Sequence, residues 1–131
     1  MSREPRWIAA EEVIRLNELQ VAATGEPHLV LNPGALEGAV ARPQNLFAYD
    51  ENADALDMAL ALLFGLAQNH PFQQGNKRTA FAACVEFMWR NGYMLDLPDS
   101  PDIADRFVDA IAGRLSLDQF RSVLEPFVRA L

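Results

Sequence analysis

The 131-residue chain has half its residues apolar, enough for one domain, residues 1–131, with a single buried core. Eighteen acidic residues against eleven basic ones leave a net charge of -7, which excludes a general binder of nucleic acid, because phosphate-backbone affinity needs a basic surface. One cysteine, Cys84, excludes an intramolecular disulfide, and the longest apolar stretch, Ala59 to Ala67, is too short to cross a bilayer.

The N-terminal stretch from Met1 to Trp7 has no apolar signal core, so the expected address is the cytoplasm. Val13, Ile14, Leu16, Leu19 and Val21 form an apolar stripe at helical spacing and predict a first helix from Glu11 to about Ala23, ended by Gly25. A loop holding Glu26, Pro27 and His28 follows. Asn32 and Pro33 then read as an N-cap and a proline at the first helical position. That helix carries Leu36 and Val40 and is predicted to stop before Pro43. Gln44 to Glu51 has no clear period and is expected to be a loop or a short extended flap containing Phe47 and Tyr49.

Leu56, Ala59, Leu60, Leu63, Phe64 and Ala67 share one face of the next helix, while Ala55, Met58 and Leu62 make much of its remainder apolar. A helix apolar nearly all round belongs at the centre. His70 to Arg78 breaks the pattern, and a further helix is predicted from Lys77 to about Arg90, stopped by Asn91 and Gly92. Phe81, Cys84, Val85 and Met88 share its apolar face, with Cys84 read as a buried, inert thiol. Tyr93 to Leu97 suits a short extended piece, and Trp89 and Tyr93 are expected in the core. Ser100 and Pro101 begin a helix reaching Gly113; Ser116 and Gln119 fit a capping box for the last one, which Pro126 kinks or ends. Phe107, Ile111, Phe120 and Phe127 are most simply core. The fold class is therefore all-α, with about six helices and no convincing sheet.

The loop between the two central helices, His70-Pro71-Phe72-Gln73-Gln74-Gly75-Asn76-Lys77-Arg78, collects the chemistry. The first N–H groups of the following helix lack intrahelical partners, and the helix dipole makes that end positive. Gly75 permits close approach of backbone to a ligand, and Asn76 can cap the helix or bond an oxygen. Lys77 and Arg78 add cations where helix stability calls for acids. In an acidic protein that conflict points to an anion, with phosphate the obvious one. His70 can accept a proton from an attacking hydroxyl. Each residue also has a plainer use: histidine as a dipole partner, Lys and Arg as a solvated pair, Asn and Gly as turn formers.

A His-x-Phe-x-x-Gly-Asn-Lys-Arg loop between central helices resembles that of the Fic/Doc family, and Lys77 followed by Thr79 and Ala80 resembles its Doc (death-on-curing) branch. The stretch Ile8 to Leu16, the helix start at Asn32 to Gly34, and Arg90-Asn91-Gly92 extend the likeness over nearly the whole chain. The resemblance implies a compact helical bundle with this helix-loop-helix at its centre. It implies that His70 is the general base, Phe72 the buried anchor of the loop, Gly75, Asn76, Lys77 and Arg78 the nucleotide phosphate site, and ATP with Mg²⁺ the phosphoryl source. It further implies the toxin of a toxin–antitoxin pair, a protein kinase acting on a Ser/Thr hydroxyl of a target such as translation elongation factor Tu. A small antitoxin would restrain it by laying a helix in a groove near the site, with no nucleic acid or membrane bound directly. Lys77 in place of a second glycine, and Phe81 where the AMP-transferring branch carries another arginine, speak against nucleotidyl transfer, which is the alternative.

One departure concerns the metal. Gln74 stands where the family usually carries an acid that helps hold Mg²⁺, so Gln74 is a weak metal ligand, another carboxylate such as Asp50 or Glu51 substitutes, or the site is a catalytically impaired binding module. The self-inhibition motif of the family is not matched, because Pro33 occupies its Ser/Thr position ahead of Glu37 and Gly38. Restraint is therefore expected from a separate chain.

Overall fold

The computed structural model describes residues 4–131; the reading of the N-terminus as free of a signal core also rests on Met1 to Arg3, which lie outside the described residues. Six helices run in order: α1 Ala10–Thr24, α2 Pro33–Tyr49, α3 Ala55–Asn69, α4 Asn76–Arg90, α5 Pro101–Ile111 and α6 Leu117–Leu124. The class is all-α, as predicted. A two-stranded antiparallel ribbon joins β1, Tyr93–Leu95, to β2, Val128–Ala130, with Met94 opposite Arg129. Among the described residues no helix is long and apolar enough to cross a membrane.

The helix starts follow their side chains. Asn32 Oδ1 accepts from the Ala35 N–H at 3.0 Å ahead of Pro33. Asp54 and Asp57 form a reciprocal capping box on α3, and Ser116 and Gln119 another on α6. Helix α3 is buried almost all round, from Leu56 to Ala67, and packs most extensively against α2 and α4. It ends at His70, and α4 begins six residues later, so the loop between two core helices has both ends fixed.

Two expectations fail at α2. The helix does not stop before Pro43 but continues to Tyr49, so Gln44 to Tyr49 is helical and no extended flap exists there. Proline inside a helix costs about 3 kcal/mol. Close packing offsets it: a Cβ built on Gly65 of α3 would lie 3.2 Å from Ala39 Cα and 3.0 Å from Arg42 Cδ, so the two backbones nearly touch. Ala39 and Pro43 are buried on that seam. Asp50 consequently caps the end of α2 instead of reaching over the loop.

Exposure corrects three side chains. Leu19, Trp89 and Tyr93 face solvent, at 57%, 55% and 37% exposure. The buried line of α1 is Ala10, Val13, Asn17 and Val21, which places a polar residue in the middle of the apolar face. Phe107 and Phe120 are buried as predicted, and the ring centroids of Phe64 lie 6.0 and 5.8 Å from theirs. Arg90 and Asn91 close the bundle. Arg90 pairs with Glu12 and Glu86, and Asn91 exchanges hydrogen bonds with the backbone of Arg6.

Candidate active site

His70 is the C-cap of α3 and the one non-glycine residue with positive φ among the described residues, at φ 48°, ψ 56°. A left-handed histidine stores strain of about 1–3 kcal/mol, which collects at functional turns. Pro71 prevents the helix from running on, and its carbonyl accepts from the N–H groups of Leu31 at 2.8 Å and Asn32 at 3.2 Å. Phe72 is 2% exposed and forms an isolated antiparallel bridge with Val30. That burial is what the anchor role expected of Phe72 requires.

Gly75, at φ 73°, is the N-cap of α4 and offers no side-chain acceptor, so the helix opens with free N–H groups. The Asn76 side chain does not cap α4; it bonds an oxygen within the loop. Its Oδ1 accepts from the Phe72 N–H at 3.0 Å and its Nδ2 donates to the Phe72 carbonyl at 2.8 Å, closing the loop on itself. Asn76 therefore offers an anion its backbone N–H alone. Lys77 is exposed and has no carboxylate partner among the described residues.

Arg78 is not idle. Its guanidinium pairs with Glu26 and donates to the Thr24 hydroxyl at 3.0 Å. The Thr24 hydroxyl also donates to Glu26; that bond first, and then Arg78, hold the Glu26 carboxyl below the usual carboxylate range. A cavity of about 410 Å³ brings together His70, Gln73, Gln74, Gly75, Asn76, Lys77, Arg78 and Glu26. Every predicted site residue of the loop except buried Phe72 thus lines one cavity.

The metal reading changes. Asp50 lines a different cavity, with Arg42, Phe64 and Arg121 on another flank of α3, and Glu51 lines neither, because α2 runs to Tyr49. Glu26 is the carboxylate that lines the loop cavity. Among the described residues no three His, Cys, Asp or Glu side chains cluster to hold an ion. Gln74 and Glu26 both carry oxygen donors on that cavity, and a Mg²⁺ held there would take most of its ligands from phosphate oxygens.

Sequence reasoning missed Asn17, Thr24, Glu26, His28 and Thr79. Asn17 alone left a signal, as the polar member of the i, i+4 series Val13, Asn17, Val21. Cys84 is inert as expected, its thiol pushed up to about 12 by burial.

A second, more apolar cavity of about 600 Å³ adjoins the first through Lys77 and Arg78 and lies between α1, α4 and α5. Leu16, Phe81, Val85, Phe107 and Val108 line it, and Val85 and Val108 are 40% and 44% exposed.

Comparison with known proteins agrees with this geometry. Residues 7–88 match the Fic/DOC family. The chain is 33% identical to the protein kinase doc of Escherichia phage P1 over 119 residues, covering 91% of this chain and 93% of that one. It is 39% identical to the toxin Doc of Mycolicibacterium smegmatis (strain ATCC 700084 / mc(2)155) over 126 residues, covering 95% of each. With an unassisted helix start, two cations and a histidine around one cavity, and these likenesses over most of its length, the chain belongs to the Fic/Doc family.

Proposed function

We propose that this chain is a toxin that transfers the γ-phosphoryl group of ATP to a Ser or Thr hydroxyl of a protein, a translation elongation factor being the expected target. The observation that carries the reading is the meeting of His70 with the uncapped, cation-bearing start of α4 in one cavity. The similarity to proteins named as a protein kinase and a toxin supports it.

In this mechanism the N–H groups at the start of α4 and the Lys77 and Arg78 cations neutralise the phosphate oxygens. Arg78 exchanges Glu26 for phosphate as the nucleotide enters. Gln74 and the released Glu26 would hold the nucleotide's Mg²⁺, which would offset charge on the leaving phosphates. His70 takes the proton of the target hydroxyl as its oxygen bonds to the γ-phosphorus and the bond to the β-phosphate oxygen breaks, leaving ADP. Base assistance of this kind is worth about 10²–10⁴ in rate. Losing one preorganised charge contact costs about 3–4 kcal/mol.

The target is placed by a different segment from the one first expected. Leu29 and Leu31 bond the loop through the Gln73 N–H at 2.9 Å and the Pro71 carbonyl at 2.8 Å, which leaves the Val30 N–H and carbonyl directed away from it. An extended target segment can add to that edge, beside the exposed Leu29 and Leu31. The apolar groove between α1, α4 and α5 suits an amphipathic antitoxin helix with an acidic residue set against Arg78.

Incubating enzyme and target with ATP labelled at the α or the γ position tests the reading. Label transferred from γ alone is expected; label from α overturns phosphoryl transfer in favour of nucleotidyl transfer. The glutamine at position 74 favours one second reading, an anion-binding module without catalysis. Neither label would move in that case, although nucleotide would bind.

A further inference from the structure

Beneath the loop lies one fully buried polar side chain that touches both ends of its turn. Asn17 of α1 is 0% exposed. Its Nδ2 donates to the Gln74 carbonyl at 2.8 Å and to the Thr79 hydroxyl at 3.0 Å, and its Oδ1 lies 2.8 Å from His28 Nδ1. A Cβ on Gly75 would sit 3.4 Å from Asn17 Nδ2 and 3.1 Å from Val21 Cγ1, so the amide lies directly under the residue that turns the loop into α4.

Chemistry fixes this amide's orientation. The Gln74 carbonyl can only accept, so Nδ2 must face it; a flipped amide would set two acceptors against each other. Oδ1 is then the atom facing His28, and His28 Nδ1 must carry a proton. Neutral His28 is thereby held as the Nδ1–H tautomer, with its ring 6.4 Å from that of Phe72. The two Nδ2 bonds bracket the turn, one just before Gly75 and one four residues after it. Between them lie the first N–H groups of α4, and the Thr79 N–H closes the first helical turn onto the Gly75 carbonyl at 2.9 Å.

We propose that Asn17 is a positioning residue: its amide, locked by His28, holds the donors at the start of α4 in the orientation that receives phosphate oxygens. The inference rests on the nucleotide reading for its purpose, but the tether can be measured without nucleotide. Asn17→Leu keeps the branched shape, though larger, and has no polar atoms. Its loop amides Phe72 and Thr79 should exchange with deuterium at least about tenfold faster relative to the α3 core, and its ATP affinity should fall about tenfold. Asn17→Asp keeps an acceptor for His28 but cannot donate to Gln74, so it should behave likewise. Leu124→Ala, which empties buried volume in α6, controls for lost stability: its Tm should fall while loop protection relative to the core and ATP affinity stay unchanged. The proposal is overturned if Asn17→Leu alters loop exchange and affinity no more than Leu124→Ala does. Faster loop exchange in Asn17→Leu, with no ATP bound even by the unsubstituted protein, would uphold the tether and remove the nucleotide reading instead.

Discussion

At the scale of the residue, His70 combines an exposed imidazole with a left-handed backbone, two properties that a substitution can separate. Asparagine tolerates the left-handed region better than other non-glycine residues but has no basic nitrogen. His70→Asn should therefore keep the loop's turn and melt within a few degrees of the unsubstituted protein, while phosphoryl transfer falls about 10²–10⁴-fold. Transfer at the original rate would remove His70 from the role of base. Gln74→Glu restores an acid beside the cavity and should tighten ATP binding in the presence of Mg²⁺ while leaving metal-free binding unchanged or weaker, as calorimetry with and without the metal would show. His70, Phe72, Gly75, Lys77 and Arg78 were legible because the chemistry of the loop is local: nine consecutive residues supply a turn, an anchor and the cations. Glu26 was not, and Asn17 showed only as a polar break in an apolar line, because the chain brings them from 52 and 57 residues away, by contacts to Arg78 and Gln74 that no local pattern encodes. The brace that the Asn76 amide makes to the Phe72 backbone was not legible either, because Asn suits several uses at a helix start.

Among the elements, apolar periodicity and turn signals located all six helices, and capping residues fixed the starts of α2, α5 and α6. Only the end of α2 escaped, because two rules conflicted. Proline is a sound signal of helix termination, but the seam with α3 holds the helix together across Pro43. Gly65 is the residue that allows the seam, and Gly65→Val should destabilise the protein by about 1–3 kcal/mol, measured by denaturant unfolding, because the added methyls meet the Ala39 backbone. Unchanged stability would mean that α2 and α3 can separate without loss, and that some other contact carries the helix past Pro43. The length of α2 also removes residues 44–49 as an extended edge, which leaves Leu29–Leu31 as the edge proposed to receive the target.

For the whole molecule, a net charge of -7 makes stability in acid depend on which carboxylates are paired. Asp54, the N-cap of α3, bonds Arg121 of α6, whose guanidinium holds its carboxyl at about 2 against an ordinary 3.8. A carboxyl lowered on folding stabilises above its unfolded value, so this contribution is full above about pH 4 and is lost as pH falls toward 2. Asn is as good an N-cap as Asp, so Asp54→Asn removes only the ionic part. It should lower stability near pH 6, by up to about 1 kcal/mol, and flatten the loss between pH 4 and 2. An unchanged acid profile would show that the Asp54–Arg121 tie contributes nothing between α3 and α6.

The account depends above all on phosphate oxygens lying at the start of α4 beside His70. A crystal structure with a non-hydrolysable ATP analogue and Mg²⁺ tests this most directly. The phosphates are predicted on the N–H groups of residues 75–77 and on Arg78, with Glu26 displaced from the guanidinium and His70 at the γ-phosphate. Nucleotide bound elsewhere, with the Arg78–Glu26 pair intact, would contradict it.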